Sequence, residues 1–192
     1  MIPKNTAAII RHLLRTSEKH NINQIAKATK TSVGSAFKIL KELEKEKIAV
    51  PEDLGNAKFY SLNLDNPEGA KICELLLLEE KRKLHGIAKV YAESLEKFKH
   101  AEIIALFGSI LKKKEFNDVD VLFVTDNVKE VQALCLDISK VRTKPIVPLI
   151  LKKKDLSKEL KNKKEAIVSI INESIILKGE SAFIEVIKHA KS

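Results

Sequence analysis

The chain predicts an α+β protein of two folded parts joined by helices, and three observations predict it. The N-terminal third carries apolar side chains at helical spacing in three short segments, then two short apolar runs around a turn-rich loop. Residues 68–99 carry one long apolar stripe at spacings of three and four. Beyond residue 99 the period shortens, and β-branched apolar runs alternate with helical patterns, as in a mixed α/β layer. The 192 residues have room for one large domain or two small ones, and the divisions read as 1–66, 67–98 and 99–192.

The first helix is expected over Thr6–Ser17, with Ile9, Ile10, Leu13 and Leu14 on one face. Asn21 is a good N-cap for a second helix over Ile22–Ala28. The turn Thr29-Lys30-Thr31 leads to Ser32, another cap residue, and to a third helix ending near Lys47. Val33, Ala36, Phe37, Leu40 and Leu43 form its apolar face. Ile48–Val50 and Lys58–Leu62 read as strands, with Pro51–Ala57 as the loop between them. At the start of the third helix, Lys30, Thr31, Ser32 and Ser35 offer a cation, hydroxyls and free amides, and Gly34 permits close approach. That chemistry suits phosphate and base-edge contacts.

Three helices followed by a hairpin is the order of a winged helix-turn-helix. The stretch INQIAKATKTSVGSAFKILKELEKEKIAV resembles the helix-turn-helix of many bacterial and archaeal winged-helix regulators. The resemblance implies that Ser32, Gly34, Ser35, Lys38 and Lys41 face double-stranded DNA and that Lys58, on the wing, meets the phosphate backbone. The third helix has no Arg, and Glu42, Glu44 and Glu46 make its far end electrically mixed. The competing use of such a domain is protein contact or dimerisation.

After the turn cluster Asn63–Pro67, residues 68–99 read as one long helix or two broken ones, with Gly86 as the weak point. The stripe has more apolar positions than one contact needs, so a homodimer through this connector is expected. A dimer would set two recognition helices about one DNA turn apart, ~34 Å.

The chemical signal lies further on. Gly108-Ser109 follows the apolar run Ile103–Phe107, where a strand turns into a helix, and Asp118-Val119-Asp120 opens the run Val121–Val124. Alternate strand residues share a face, so two carboxylates about 7 Å apart along the chain point the same way. Their repulsion calls for a hard cation, and Mg²⁺ is the oxygen-liganded ion that fits. The Gly-Ser bend supplies close backbone approach, amides and a hydroxyl for phosphate oxygens.

Phe107-Gly108-Ser109…Asp118-Val119-Asp120-Val121 resembles the GS…DxD signature of the DNA polymerase β-like nucleotidyltransferases, in particular their minimal domains. The tail from Ile170 to Phe183 is similar to their closing helix–strand–helix, and the likeness covers residues 99–190. It implies nucleotide binding by Gly108 and Ser109 and metal binding and catalysis by Asp118 and Asp120, with Mg²⁺ and an NTP as ligands. The family's third carboxylate is expected on the strand Lys144–Leu151, which contains no acid. Asp137 falls on a helix, Glu130–Lys140, and Asp155 reads as an N-cap for the next helix.

Net charge is +9, with 31 Lys and only 4 Arg among the cations, no Trp and one Met, a usage typical of heat-adapted proteins. The runs Lys112-Lys113-Lys114 and Lys152-Lys153-Lys154 read equally as polyanion attraction or as solvated surface. The five histidines show no ligand spacing, and Cys73 and Cys135 read as buried thiols of a reducing cytoplasm. No apolar run is long enough to span a bilayer and residues 1–20 lack a signal-peptide core, so no membrane partner is expected. The sequence therefore predicts a cytoplasmic, DNA-binding transcriptional regulator whose nucleotidyltransferase-like domain binds, or once bound, a metal-nucleotide, and the absent third acid leaves its catalytic competence open. The alternative is an active Mg-dependent enzyme transferring NMP from an NTP to a protein, nucleic-acid or small-molecule acceptor.

Overall fold

Pairing and capping set the first elements. The computed structural model describes residues 2–16, 18–113 and 115–191. Helix α1 (Lys4–Arg15) buries Ile9, Ile10, Leu13 and Leu14 and ends before Thr16, and Ser17, its expected end, lies outside the described residues. A two-residue strand, β1 (His20–Asn21), follows, which the sequence did not announce. Asn21 and Gln24 form a reciprocal capping box that starts α2 (Ile22–Thr29). Lys30, in the left-handed region at φ 54°, ends it, and the Ser32 side chain accepts from the Ser35 amide to start α3 (Val33–Lys45).

The hairpin is longer than expected. β2 (Ala49–Leu54) and β3 (Ala57–Leu62) pair in full register, so the loop shrinks from Pro51–Ala57 to Gly55 and Asn56. Pro51 is tolerated because β2 is an edge strand in the order β1-β3-β2. A second correction concerns α3. Ala36, Leu40 and Leu43 are buried, but Val33 and Phe37 are 51% and 48% exposed. The buried arc against α1 and α2 is too narrow to take all five positions.

The chain divides into two units, Met1–Leu76 and Leu77–Ser192, the division falling inside α4 (Pro67–Arg82). Asn66 starts this helix by accepting from the Glu68 and Gly69 amides. A break at residues 83–85 separates it from α5 (Gly86–Leu95), and Gly86 takes a positive φ of 56°.

The second unit is a four-stranded sheet with helices on both faces. β4 (Ile103–Phe107), β5 (Val119–Val124), β6 (Ile146–Leu151) and β7 (Ile175–Lys178) lie in the order β6-β5-β4-β7. β5 and β6 are parallel, and the other two pairings are antiparallel. On one face Leu106, Val119, Val121 and Phe123 pack with Tyr91 and Leu95 of α5 and Val131 of α6 (Val128–Val141). The alternate residues Ile103, Ala105, Leu122 and Val124 are buried on the other face, where α7 (Lys153–Lys161) packs on α9 (Glu180–Lys191) and α9 touches β4. The helix α8 (Glu165–Glu173) leads into β7. Asp155 lies inside the first turn of α7, whose N-cap residue is Lys152, so the expected cap is not formed. Its charge still suits that helix end.

Among the described residues, no helix is long and apolar enough to cross a membrane. Both cysteines are buried and outside any disulfide, and burial pushes the Cys135 thiol up to about 11. His12 and His20, given no role by spacing, stack with Nε2 and Nδ1 2.7 Å apart across α1 and β1.

Candidate functional site

The register of β4 against β5 sets Phe107 opposite Asp120. The next residue, Gly108, turns the chain at φ 80°, ψ −153°, and Ser109–Leu111 then form a single 3-10 turn. A Cβ on Gly108 would lie 2.0 Å from Asp120 Oδ2 and 2.9 Å from its Cγ. The carboxylate therefore occupies the space that only glycine leaves open. Gly108 and Asp120, twelve positions apart in sequence, are thus brought into van der Waals contact at one end of the sheet.

Asp118 stands just before β5 and Asp120 within it, both half-buried. Burial first, and the Asp118 charge second, hold the Asp120 carboxyl above the usual carboxylate range. Among the described residues neither carboxylate has a hydrogen-bond or ion-pair partner, and neither does the Ser109 hydroxyl. Asp120 at the glycine bend, with the Asp118 charge close enough to raise its pKa and no countercharge on either, is oxygen chemistry suited to a hard cation.

The neighbouring strand adds no third acid. Parallel pairing sets Val147 beside Asp120, and this valine is 46% exposed. Asp137 is exposed on α6 and pairs with Lys140 at 3.0 Å, while Asp155 belongs to α7. Among the described residues no group of three or more His, Cys, Asp or Glu side chains is placed to hold a metal ion. The basic runs are partly neutralised: Lys112 pairs with Glu173, Lys152 with Asp126 and Lys153 with Glu185. Lys154 is exposed, and Lys114 lies outside the described residues.

In the first unit, Lys30, Ser32, Gly34, Lys38 and Lys41 are exposed, and Thr31 and Ser35 are half-buried. Phe37 stands among them on the outer face of α3. The sequence marks Glu44 only as part of an electrically mixed helix end and does not announce its pairing with the predicted contact lysines. Its carboxylate accepts from Lys41 Nζ at 2.9 Å, lies 4.0 Å from Lys58 Nζ and accepts from the Tyr60 hydroxyl at 3.5 Å. The Lys41 hydrogen bond chiefly holds the Glu44 carboxyl below its usual range. Thus two of the eight predicted contact residues share one resident anion. The remaining cations, Lys30 and Lys38, have no ion-pair partner among the described residues.

Asp120 makes a pH prediction. A carboxyl whose folded pKa is raised contributes stability below its unfolded pKa and loses it as pH rises through the folded value. The protein in chelator is expected to lose stability over that rise. Asp120→Asn should flatten this part of the curve and raise the thermal midpoint near neutral pH by a few degrees. Millimolar Mg²⁺ should stabilise the parent protein and not the variant. Thermal melts followed by circular dichroism check it, and an unchanged pH profile in Asp120→Asn would refute it.

Comparison with protein-family models, with curated proteins and with solved structures gave no match to this chain.

Proposed function

We propose that the chain is a DNA-binding transcriptional regulator whose second unit holds a metal-nucleotide on a nucleotidyltransferase-like fold. The observation that carries this reading is the contact of Gly108 with Asp120, beside an unpartnered Asp118. A bend with free amides, a free serine hydroxyl and two uncompensated acids fits a triphosphate and Mg²⁺ together. Asp118 and Asp120 would hold the ion, which supplies charge neutralisation for phosphate oxygens when bound. Gly108 and Ser109 would seat the phosphates, and Val147 in place of a third acid favours binding over transfer.

The three-helix and hairpin order of the first unit supports a winged helix-turn-helix, with α3 entering the major groove of DNA. Exposed Leu75 on α4, and Ile87 and Val90 on α5, support a homodimer through the connector. Two buried cysteines outside any disulfide fit a reducing cytoplasm.

Titration of labelled genomic fragments at graded salt tests the DNA half. Lys30→Glu and Lys38→Glu should each weaken binding and lower the salt slope by about 0.9 per lost phosphate contact. Lys41→Glu and Lys58→Glu should do less, because Glu44 already holds those cations. Salt-independent binding would sink the DNA reading. Calorimetry with Mg²⁺ and a non-hydrolysable NTP tests the other half, and Asp118→Asn should abolish that heat. Transfer of label from an NTP by the parent protein, lost in Asp118→Asn, would replace the binding reading with the enzymatic one.

A further inference from the structure

We infer that a cavity on the other side of the sheet from Asp120 binds a small organic anion with an apolar body. This cavity of about 320 Å³ lies between the C-terminal turn of α4, the start of α5 and the 3-10 turn after Gly108. That volume is at the small end of the roughly 300–1,000 Å³ of ligand sites. Its floor is aliphatic: Leu84, Ala88, Ile110 and Ile175. Water gains few hydrogen bonds against such a floor, so an apolar ligand body gains by displacing it.

The rim decides the ligand's charge. Lys83 and Lys113 line the cavity, and neither has an ion-pair partner among the described residues. Lys112 is paired with Glu173, and Glu80 is the one carboxylate in the wall. Lys83 and Lys113, without a carboxylate partner among the described residues, make this rim positive, which matches an anionic head group. His85 donates from Nδ1 to the Lys83 carbonyl at 3.1 Å, which ties together the turn that carries Lys83.

The pleat separates this cavity from the candidate nucleotide site. Ile110 and Ala88 belong to the core cluster of Val119 and Val121, whereas Asp120 alternates with them and faces the other way. Neither Asp118 nor Asp120 lines this cavity, so a ligand here is independent of a metal or nucleotide at the bend. The two sites share one element: the 3-10 turn Ser109–Leu111 begins at the glycine bend and ends in the cavity wall.

Calorimetric titration of the full chain, in chelator and without nucleotide, tests it with two monoanions: octanoate and the phosphodiester methyl phenyl phosphate. One of them should bind saturably at one equivalent, and which one distinguishes a carboxylate from a phosphate-ester ligand. Octanol, which lacks the charge, and inorganic phosphate, which lacks the apolar body, should each bind at least about tenfold more weakly. The exposed pair Lys83→Glu/Lys113→Glu should weaken binding by at least about tenfold, with Lys83→Gln/Lys113→Gln as the milder pair if folding suffers. Asp120→Asn should leave binding unchanged. Absence of saturable binding by both anions, equal binding of either control, or full affinity in both lysine pairs would overturn the inference.

Discussion

Gly179→Ala is expected to cost more stability than any other single glycine replacement in this chain. Gly179 joins β7 to α9 at φ 86°, a backbone conformation that side chains rarely adopt. An added Cβ would lie 1.9 Å from the Glu102 carbonyl oxygen and 3.1 Å from Ile103 Cα. Those are backbone atoms at the start of β4, whose pairing with β5 continues through the Glu102 amide to Val124. No rotamer change relieves the clash. The substitution must either part β7 from β4 or unwind the start of α9, where the Phe183 amide donates to Gly179. The expected loss is at least about 3 kcal/mol, combining backbone strain with broken packing. Gly55→Ala is the control, because Gly55 also has a positive φ but nothing lies within 4 Å of its added Cβ. It should cost only about 1–2 kcal/mol. Urea unfolding followed by circular dichroism reads both, and equal losses would contradict the packing argument.

Gly108→Ala should separate stability from binding. Its new methyl meets the Asp120 carboxylate, the end of a side chain that can rotate away, rather than backbone. Strain at φ 80° is therefore the main folding cost, about 1–3 kcal/mol. The carboxylate, however, cannot stay where it is. Mg²⁺-dependent binding of a non-hydrolysable NTP is expected to fall by at least about tenfold, equivalent to ~1.4 kcal/mol or more. Calorimetry on the folded variant measures it. Full affinity in Gly108→Ala would show that the position of Asp120 beside the bend does not matter for a nucleotide.

Both glycines illustrate what local pattern reveals and what it leaves out. The apolar runs that became β4 and β5 were legible because a strand buried on both faces must be apolar along most of its length. The caps Asn21 and Ser32 were legible because capping acts within three residues. The two strands of the hairpin were visible, but their length was not. Leu54 pairs with Ala57 and Pro51 lies opposite Tyr60, and such pairing overrides the turn chemistry of Pro51, Asp53 and Gly55.

Non-local contacts account for the remaining differences. β1 is two residues long and exists only through its pairing with Phe59 and Tyr60. Val33 and Phe37 had the right period for a buried face, but α1 and α2 reach only Ala36, Leu40 and Leu43. At the candidate site, the residue types of Gly108, Ser109, Asp118 and Asp120 could be read directly. The approach of Asp120 to Gly108 depends on the register Phe107 opposite Asp120, which no local pattern specifies.

Glu44 bears on affinity. By holding both Lys41 and Lys58, it acts as an internal competitor for any incoming polyanion. These pairings are solvent-screened and weak, so a ligand's negative charges displace Glu44 at small cost, and the glutamate tempers the positive charge of this face rather than closing it.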